Sequence, residues 1–108
     1  MKIYLACPYS DEADIIQELR FKLVSKAAGK LMNQGHIVFS PISHSRPIAL
    51  QCILPHDWEF WENFDKNFIE WCDQLWVLCL DGWKESVGVT AEIKIAKELK
   101  KSVWYLKS

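Results

Sequence analysis

Short apolar runs that alternate with segments of helical period predict an α/β fold, with helices covering both faces of a parallel sheet. Two observations carry this. Residues 75–80 (LWVLCL) are apolar without a break, as in a strand buried on both faces. The other strand-like runs are separated by helix-period segments, so neighbouring strands are joined by right-handed crossovers. The expectation is a three-layer α/β sandwich around a parallel sheet of four or five strands.

Residues 2–6 (KIYLA) are short, apolar and β-favouring, and Pro8 stops them. Ser10-Asp11-Glu12 then offers an N-cap followed by acids in a first turn. Ile15, Leu19, Leu23, Ala27 and Leu31 recur every four residues, with Arg20, Lys22, Lys26 and Lys30 mostly off that face. This predicts an amphipathic helix that ends at Asn33-Gln34-Gly35, with Gly35 just past its C-cap. Residues 36–40 (HIVFS) are the second strand. Three prolines make residues 41–55 read as less regular. A helix follows from about Asp57 to Cys72, then the 75–80 strand and a turn over 81–88. A last helix runs from Thr90 to about Lys100, with Ala91, Ile95, Ala96 and Leu99 inward. Residues 103–106 close the sheet, in a flavodoxin-like arrangement.

Composition sets limits on function. The 108 residues, read as one domain (1–108), are 13 % aromatic with six Trp, which excludes a disordered chain. Thirteen Lys and Arg against fourteen Asp and Glu leave a net charge of −1, so no basic field recruits a nucleic-acid polymer or an anionic membrane. No run approaches the roughly 18 apolar residues of a membrane span. The apolar run near the N-terminus is too short for a signal peptide. Cys7, Cys52, Cys72 and Cys79 form no CxxC pair and read as reduced, mostly buried thiols of a cytoplasmic protein.

Parallel sheets of this kind bind ligands beyond the carboxyl ends of their strands, so the informative segments are 7–11, 41–57 and 81–92. In the third, Gly88 permits close backbone approach at a strand-to-helix turn, and Ser86 adds a hydroxyl. Together they suit a phosphate or a sugar hydroxyl. There is no GxxxxGK[ST] and no GxGxxG, which argues against ATP or GTP hydrolysis. Glu92 lies near the positive end of the last helix, which favours an ionised carboxylate able to act as nucleophile or general base; the plainer reading is a first-turn acid that stabilises the helix. Asp65 stands beside Trp61 and Phe68 on the stripe Trp61, Phe64, Phe68, Cys72. It is either solvated at the stripe's edge or held in a partly dry site with a raised pKa. Tyr4 is a core aromatic whose hydroxyl needs a partner.

Other schemes fit less well. Cys7 follows the first strand as a phosphatase nucleophile would, but no arginine completes a CxxxxxR signature. Cys52, His56 and Asp57 lack the spacing of a zinc site, so no metal or other cofactor is expected. His44 sits in a loop aimed at the same cleft, where it can donate to a substrate oxygen; the plainer reading is a surface histidine.

Ile3-Tyr-Leu-Ala6, Asp65 eight residues before Asp73, and Ser86-x-Gly-x-x-x-Glu92 together resemble the nucleoside 2-deoxyribosyltransferase superfamily, which includes the 2′-deoxynucleoside 5′-phosphate N-hydrolases. The strings LACPYS, GHIVFSPISHS, DWEFW and DGWKESVGVTAEI are similar to small bacterial and phage proteins of the DUF1937 type. The resemblance implies a small-molecule nucleoside or nucleotide substrate and cleavage of its N-glycosidic bond, by hydrolysis or by transfer. It implies that Tyr4 orients Glu92 as nucleophile, that Asp65 contacts the base side, and that Ser86 contacts a 5′-phosphate. The sequence departs from the hydrolases after the first strand: Cys7-Pro8-Tyr9-Ser10 replaces a small loop with an arginine. The other class open to this scaffold is a non-catalytic nucleotide- or sugar-binding module.

Trp58, Trp61 or Tyr9 can stack on a base, while core packing is the plainer role for Trp61 and Trp71. Six Trp exceed the demand of one small core, and surplus aromatics favour interfaces. The resemblance also implies subunits that help to close one another's sites. The expectation is a homodimer or higher symmetric oligomer, packed largely through the 57–72 helix.

Overall fold

The structure is a computed structural model that describes residues 1–107. In chain order it contains β1 (Lys2–Ala6), α1 (Asp14–Asn33), β2 (Ile37–Phe39), α2 (Pro41–Gln51), α3 (Trp58–Trp71), β3 (Gln74–Cys79), α4 (Val87–Glu98) and β4 (Ser102–Lys107). The strands form one sheet in the order β2-β1-β3-β4, and all three pairings are parallel. The fold class expected from the sequence is the one observed, with four strands among the described residues.

Strand alternation divides the core between the two faces. Ile3 and Leu5 point to the face covered by α1, where they meet Val24, Ala28 and Leu31. Tyr4 and Ala6 point to the opposite face, where α3 supplies Ile69 and α4 supplies Val89 and Ala96. Tyr4 is therefore buried under the α3–α4 layer. From β1 the chain moves out to β2 on one side and then crosses from β2 to β3 on the other side of β1, so β1 and β3 flank the topological switch point.

Four local expectations are corrected. The inward face of α1 is Val24, Ala28 and Leu31, whereas Ile15 is 73 % exposed and Leu19 and Leu23 are exposed too. A strict four-residue repeat precesses about 40° per step on a helix, so a row begun at Ile15 reaches the sheet only at its far end. The helix starts one turn later than Ser10, with Ala13 at the N-cap and no side-chain cap. Asp11 instead accepts from the Ala13 amide at 2.9 Å. Gly35 does follow the C-cap Gln34, with a φ of +96°.

Residues 41–51 are a helix, not an irregular stretch. Ser40 caps it by accepting from the Ser43 amide, and Pro41 occupies its first turn, where a missing N–H has no consequence. Pro47 lies inside, at the expense of one intrahelical bond. The fourth correction is α4, which begins at Val87 rather than Thr90, with Ser86 as its N-cap. Of the four residues expected inward on it, Ala96 is fully buried and Ala91, Ile95 and Leu99 partly so.

Candidate functional site

Three side chains converge on the α3–α4 face because each stands on a row that is otherwise apolar. On α4 the core-facing row is Val89, Glu92 and Ala96, and on α3 it is Asp65 and Ile69. Glu92 and Asp65 are the only buried acids among the described residues. Between them Tyr4, fully buried on β1, donates its hydroxyl to Glu92 Oε2. The Asp65 carboxyl also bears on this hydroxyl.

Burial governs the charges here. It pushes Glu92 up to about 8, and the neighbouring Asp65 charge adds to the rise, while the Tyr4 hydrogen bond opposes it. Burial likewise pushes Asp65 up to about 6, against the same phenol. Two carboxyls sharing a dry site cannot both ionise cheaply, so the pair holds a proton into the neutral range. The expectation that the helix end keeps Glu92 ionised is overturned. With α4 starting at Val87, Glu92 lies beyond the first turn, where the macrodipole has faded and burial wins. For Asp65, the drier of its two readings is the one found. The Tyr4 phenol is also raised, by burial and then by both acids, so it remains a donor.

A cleft of about 810 Å³ opens beyond the carboxyl ends of β1 and β3, within the range of small-molecule sites, roughly 300–1,000 Å³. Of the residues singled out in the sequence, Cys7, Tyr9, Asp65, Ser86, Gly88 and Glu92 line it. Tyr4 lies behind them. Burial pushes the Cys7 thiol up to about 12, so it is no thiolate nucleophile. Ser86 Oγ accepts from the Val89 amide at 3.2 Å and keeps its own proton to donate. First-turn amides have no intrahelical acceptor, so those of Val87 and Gly88 remain at the mouth of the cleft.

Two candidates are elsewhere. Pro8 is buried beneath its loop and does not line the cleft. His44 belongs to α2 rather than to a loop and does not line the cleft; it is exposed, as its plainer reading had it, and packs by its ring against Phe39 and Phe64, at 5.4 and 6.0 Å. Among the aromatics, Trp61 reaches the cleft and anchors its indole on the Pro55 carbonyl at 2.8 Å. Trp58 turns instead to Glu62, and Trp71 is exposed beneath the Lys2 ammonium rather than in the core.

The rim is tied together by Arg20 of α1. Its guanidinium donates to the carbonyls of Tyr9 and Ser10 after β1, and to the Asp81 carbonyl after β3 at 3.0 Å. Gly82 beside it has a φ of +91°, which L side chains rarely adopt, and a Cβ there would also lie 2.9 Å from Arg20 Nη2 and push the guanidinium aside.

The family model described as Domain of unknown function (DUF1937) matches residues 1–108. The chain belongs to the DUF1937 family. No curated protein matches this DUF1937 chain. It is similar to a solved structure of the 2-deoxyribosyltransferase from the psychrotolerant bacterium Bacillus psychrosaccharolyticus, with 30 % identity and a TM-score of 0.68 over 99 % of this chain and 72 % of that one. The nucleoside deoxyribosyltransferase-like assignment made from the sequence thus agrees with the structure.

Sequence reasoning missed Arg46, which the α2 helix of this DUF1937 chain delivers to the cleft. The signal was present in Ser40-Pro41, an N-cap followed by proline at the first helical position. A helix drawn from there places Ile42, Ser45 and Arg46 on one face, which lines the cleft, with Ile42 also packed against the core.

Proposed function

We propose that the protein cleaves the N-glycosidic bond of a nucleoside or nucleotide, by hydrolysis or base exchange. The single observation that carries this is the Tyr4–Glu92–Asp65 constellation at the closed end of the cleft. The similarity to a 2-deoxyribosyltransferase supports it. Cleavage of such a bond passes through an oxocarbenium-like state that a carboxylate stabilises or captures. The departing base needs a proton. A pair of acids sharing one proton supplies both. Asp65, on the α3 side with Trp61, gives its proton to the base. At rest burial places the shared proton on Glu92, and the reactive form is the one in which that proton has passed to Asp65, so that the Glu92 carboxylate, held by Tyr4, faces the anomeric carbon. Ser86 and Gly88 receive the sugar or its substituent.

Incubation with a panel of deoxynucleosides and their 5′-monophosphates, with free base as the readout, tests this. Base release that Glu92→Ala abolishes is the expected result. Ligands that stabilise the fold and are recovered intact would favour the binding-module reading, and release undiminished by Glu92→Ala would overturn the role of Glu92.

Assembly is part of the same proposal. Trp58, Phe60 and Trp71 of α3 are exposed, as are Leu50 and Ile53 before it. A homodimer or higher symmetric oligomer packed through α3 would cover them and border the cleft. Light scattering at micromolar concentration tests this, a clean 12.6 kDa species being the contrary result. The four free thiols suit a reducing, cytoplasmic setting.

A further inference from the structure

Among the described residues Arg46 is the only lysine or arginine lining the cleft, and the acids lining it, Asp65, Glu85 and Glu92, do not pair with it. Its Nε donates to the Tyr9 hydroxyl at 3.2 Å, and its guanidinium carbon lies 4.8 Å over the Phe21 ring. These contacts fix the guanidinium plane and leave both terminal nitrogens without a protein acceptor. A fork held in this way is organised for an oxyanion that it can grip through two parallel bonds. Apart from the Phe21 ring and the Tyr9 hydroxyl, no group of opposite charge compensates this half-buried guanidinium.

Its position says where that oxyanion belongs. Arg46 is held on the α1 side through Phe21 and Tyr9, whereas Asp65 and Trp61 come from α3 on the opposite layer. A substrate that places its anomeric carbon at Glu92 and its base toward α3 directs the far end of its sugar to Arg46. Ser86 and the open amides of α4 border the same space.

We propose that Arg46 is a specificity-determining residue and that the substrate class is the nucleoside 5′-monophosphate, its phosphate gripped by the Arg46 guanidinium. This rests on the N-glycosidic reading above for the location of the anomeric carbon. The arginine comes from the second helix, not from the loop after the first strand.

The test compares wild type, Arg46→Gln and Arg46→Lys, each checked for a cooperative thermal transition. Base release is followed from deoxynucleosides and from their 5′-monophosphates, and binding of 2-deoxyribose 5-phosphate and of 2-deoxyribose is measured by calorimetry. Wild type should favour monophosphates in kcat/KM by roughly 100-fold, the scale of lost charge-assisted bonds. Arg46→Gln should lower kcat/KM for monophosphates far more than for nucleosides and so remove that preference, and Arg46→Lys should recover part of it. Equal cleavage of nucleosides and monophosphates, or an equal loss on both with Arg46→Gln, overturns the assignment. If no substrate releases base, the N-glycosidic reading alone fails and the calorimetry decides. Binding of 2-deoxyribose 5-phosphate that is lost in Arg46→Gln and partly kept in Arg46→Lys supports the arginine's role. Absence of binding, or binding indifferent to Arg46, overturns it.

Discussion

The Tyr4 hydroxyl donates to Glu92 across 88 residues of sequence, joining the first strand to the last helix inside the core. Tyr4→Phe removes this donor and leaves a buried carboxyl without it. Base release should fall about 100-fold, as when one preorganised donor is lost. Stability should fall by about 1–3 kcal/mol, the scale of an unsatisfied buried group. Since the phenol holds Glu92 down, the limb of the pH profile governed by Glu92 should also move to higher pH. A rate and profile equal to wild type would remove Tyr4 from the mechanism.

The activity should be bell-shaped in pH. The reactive form carries one proton between Asp65 and Glu92, so kcat/KM should decline below about 6 and above about 8, as the pair gains its second proton or loses its last. Asp65→Asn should abolish the bell. A profile flat from pH 5 to 9 would contradict a shared proton.

Stability should move with pH in the opposite sense to that of a protein rich in paired surface acids. Both carboxyls are raised above their ordinary values, 3.8 for Asp65 and 4.5 for Glu92. Between about pH 4 and 8 the folded chain therefore binds more protons than the unfolded chain. Unfolding free energy from this pair then falls as pH rises through that window and is greatest at its acid end. Denaturant titrations at pH 5.5 and 8 measure it, and Glu92→Gln should shrink the difference. Equal midpoints in wild type would show that the pair is not desolvated.

Gly88→Ala separates fold from function. A Cβ there would meet only Ser86 Oγ, at an ordinary 3.9 Å. Helix stability should be unchanged or rise by up to about 1 kcal/mol. KM should nevertheless increase about tenfold, because the methyl group occupies space where a ligand approaches the open amides. An unchanged KM would move the ligand away from the start of α4.

Lys100 ends α4 with a φ of 59°, its amide bonded to Lys97 O and that of Lys101 to Ala96 O. Glycine takes this conformation without the Cβ penalty. Lys100→Gly should therefore raise stability by about 1 kcal/mol, read as a higher denaturant midpoint with an unchanged slope. A lower midpoint would mean that the lysine side chain contributes more than its backbone geometry costs.

The strands were legible because their signal is local: an unbroken apolar run such as 75–80 has few alternatives. Helix faces were less so. The Ile15–Leu31 row shows why, since spacing alone does not say which part of a precessing row meets the sheet. The α2 helix was hidden by its prolines, although Pro41 at its start is a helix signal and only Pro47 opposes it. Glu92 and Asp65 could be singled out as acids on apolar rows. Their shared proton could not, because it depends on a distance between α3 and α4 that no local pattern encodes. Arg46 was lost along with the helix that carries it.

The Arg20 tie has a consequence for how this scaffold can diversify. Arg20 grips main-chain carbonyls of Tyr9, Ser10 and Asp81, not their side chains. Exchanging any of these three residues rewrites the chemistry offered at the rim while the two loops stay fastened. A single guanidinium, together with the glycine that makes room for it, thus uncouples the shape of the opening from the identity of the groups displayed there. New ligand preferences can be tried one substitution at a time without loosening the frame.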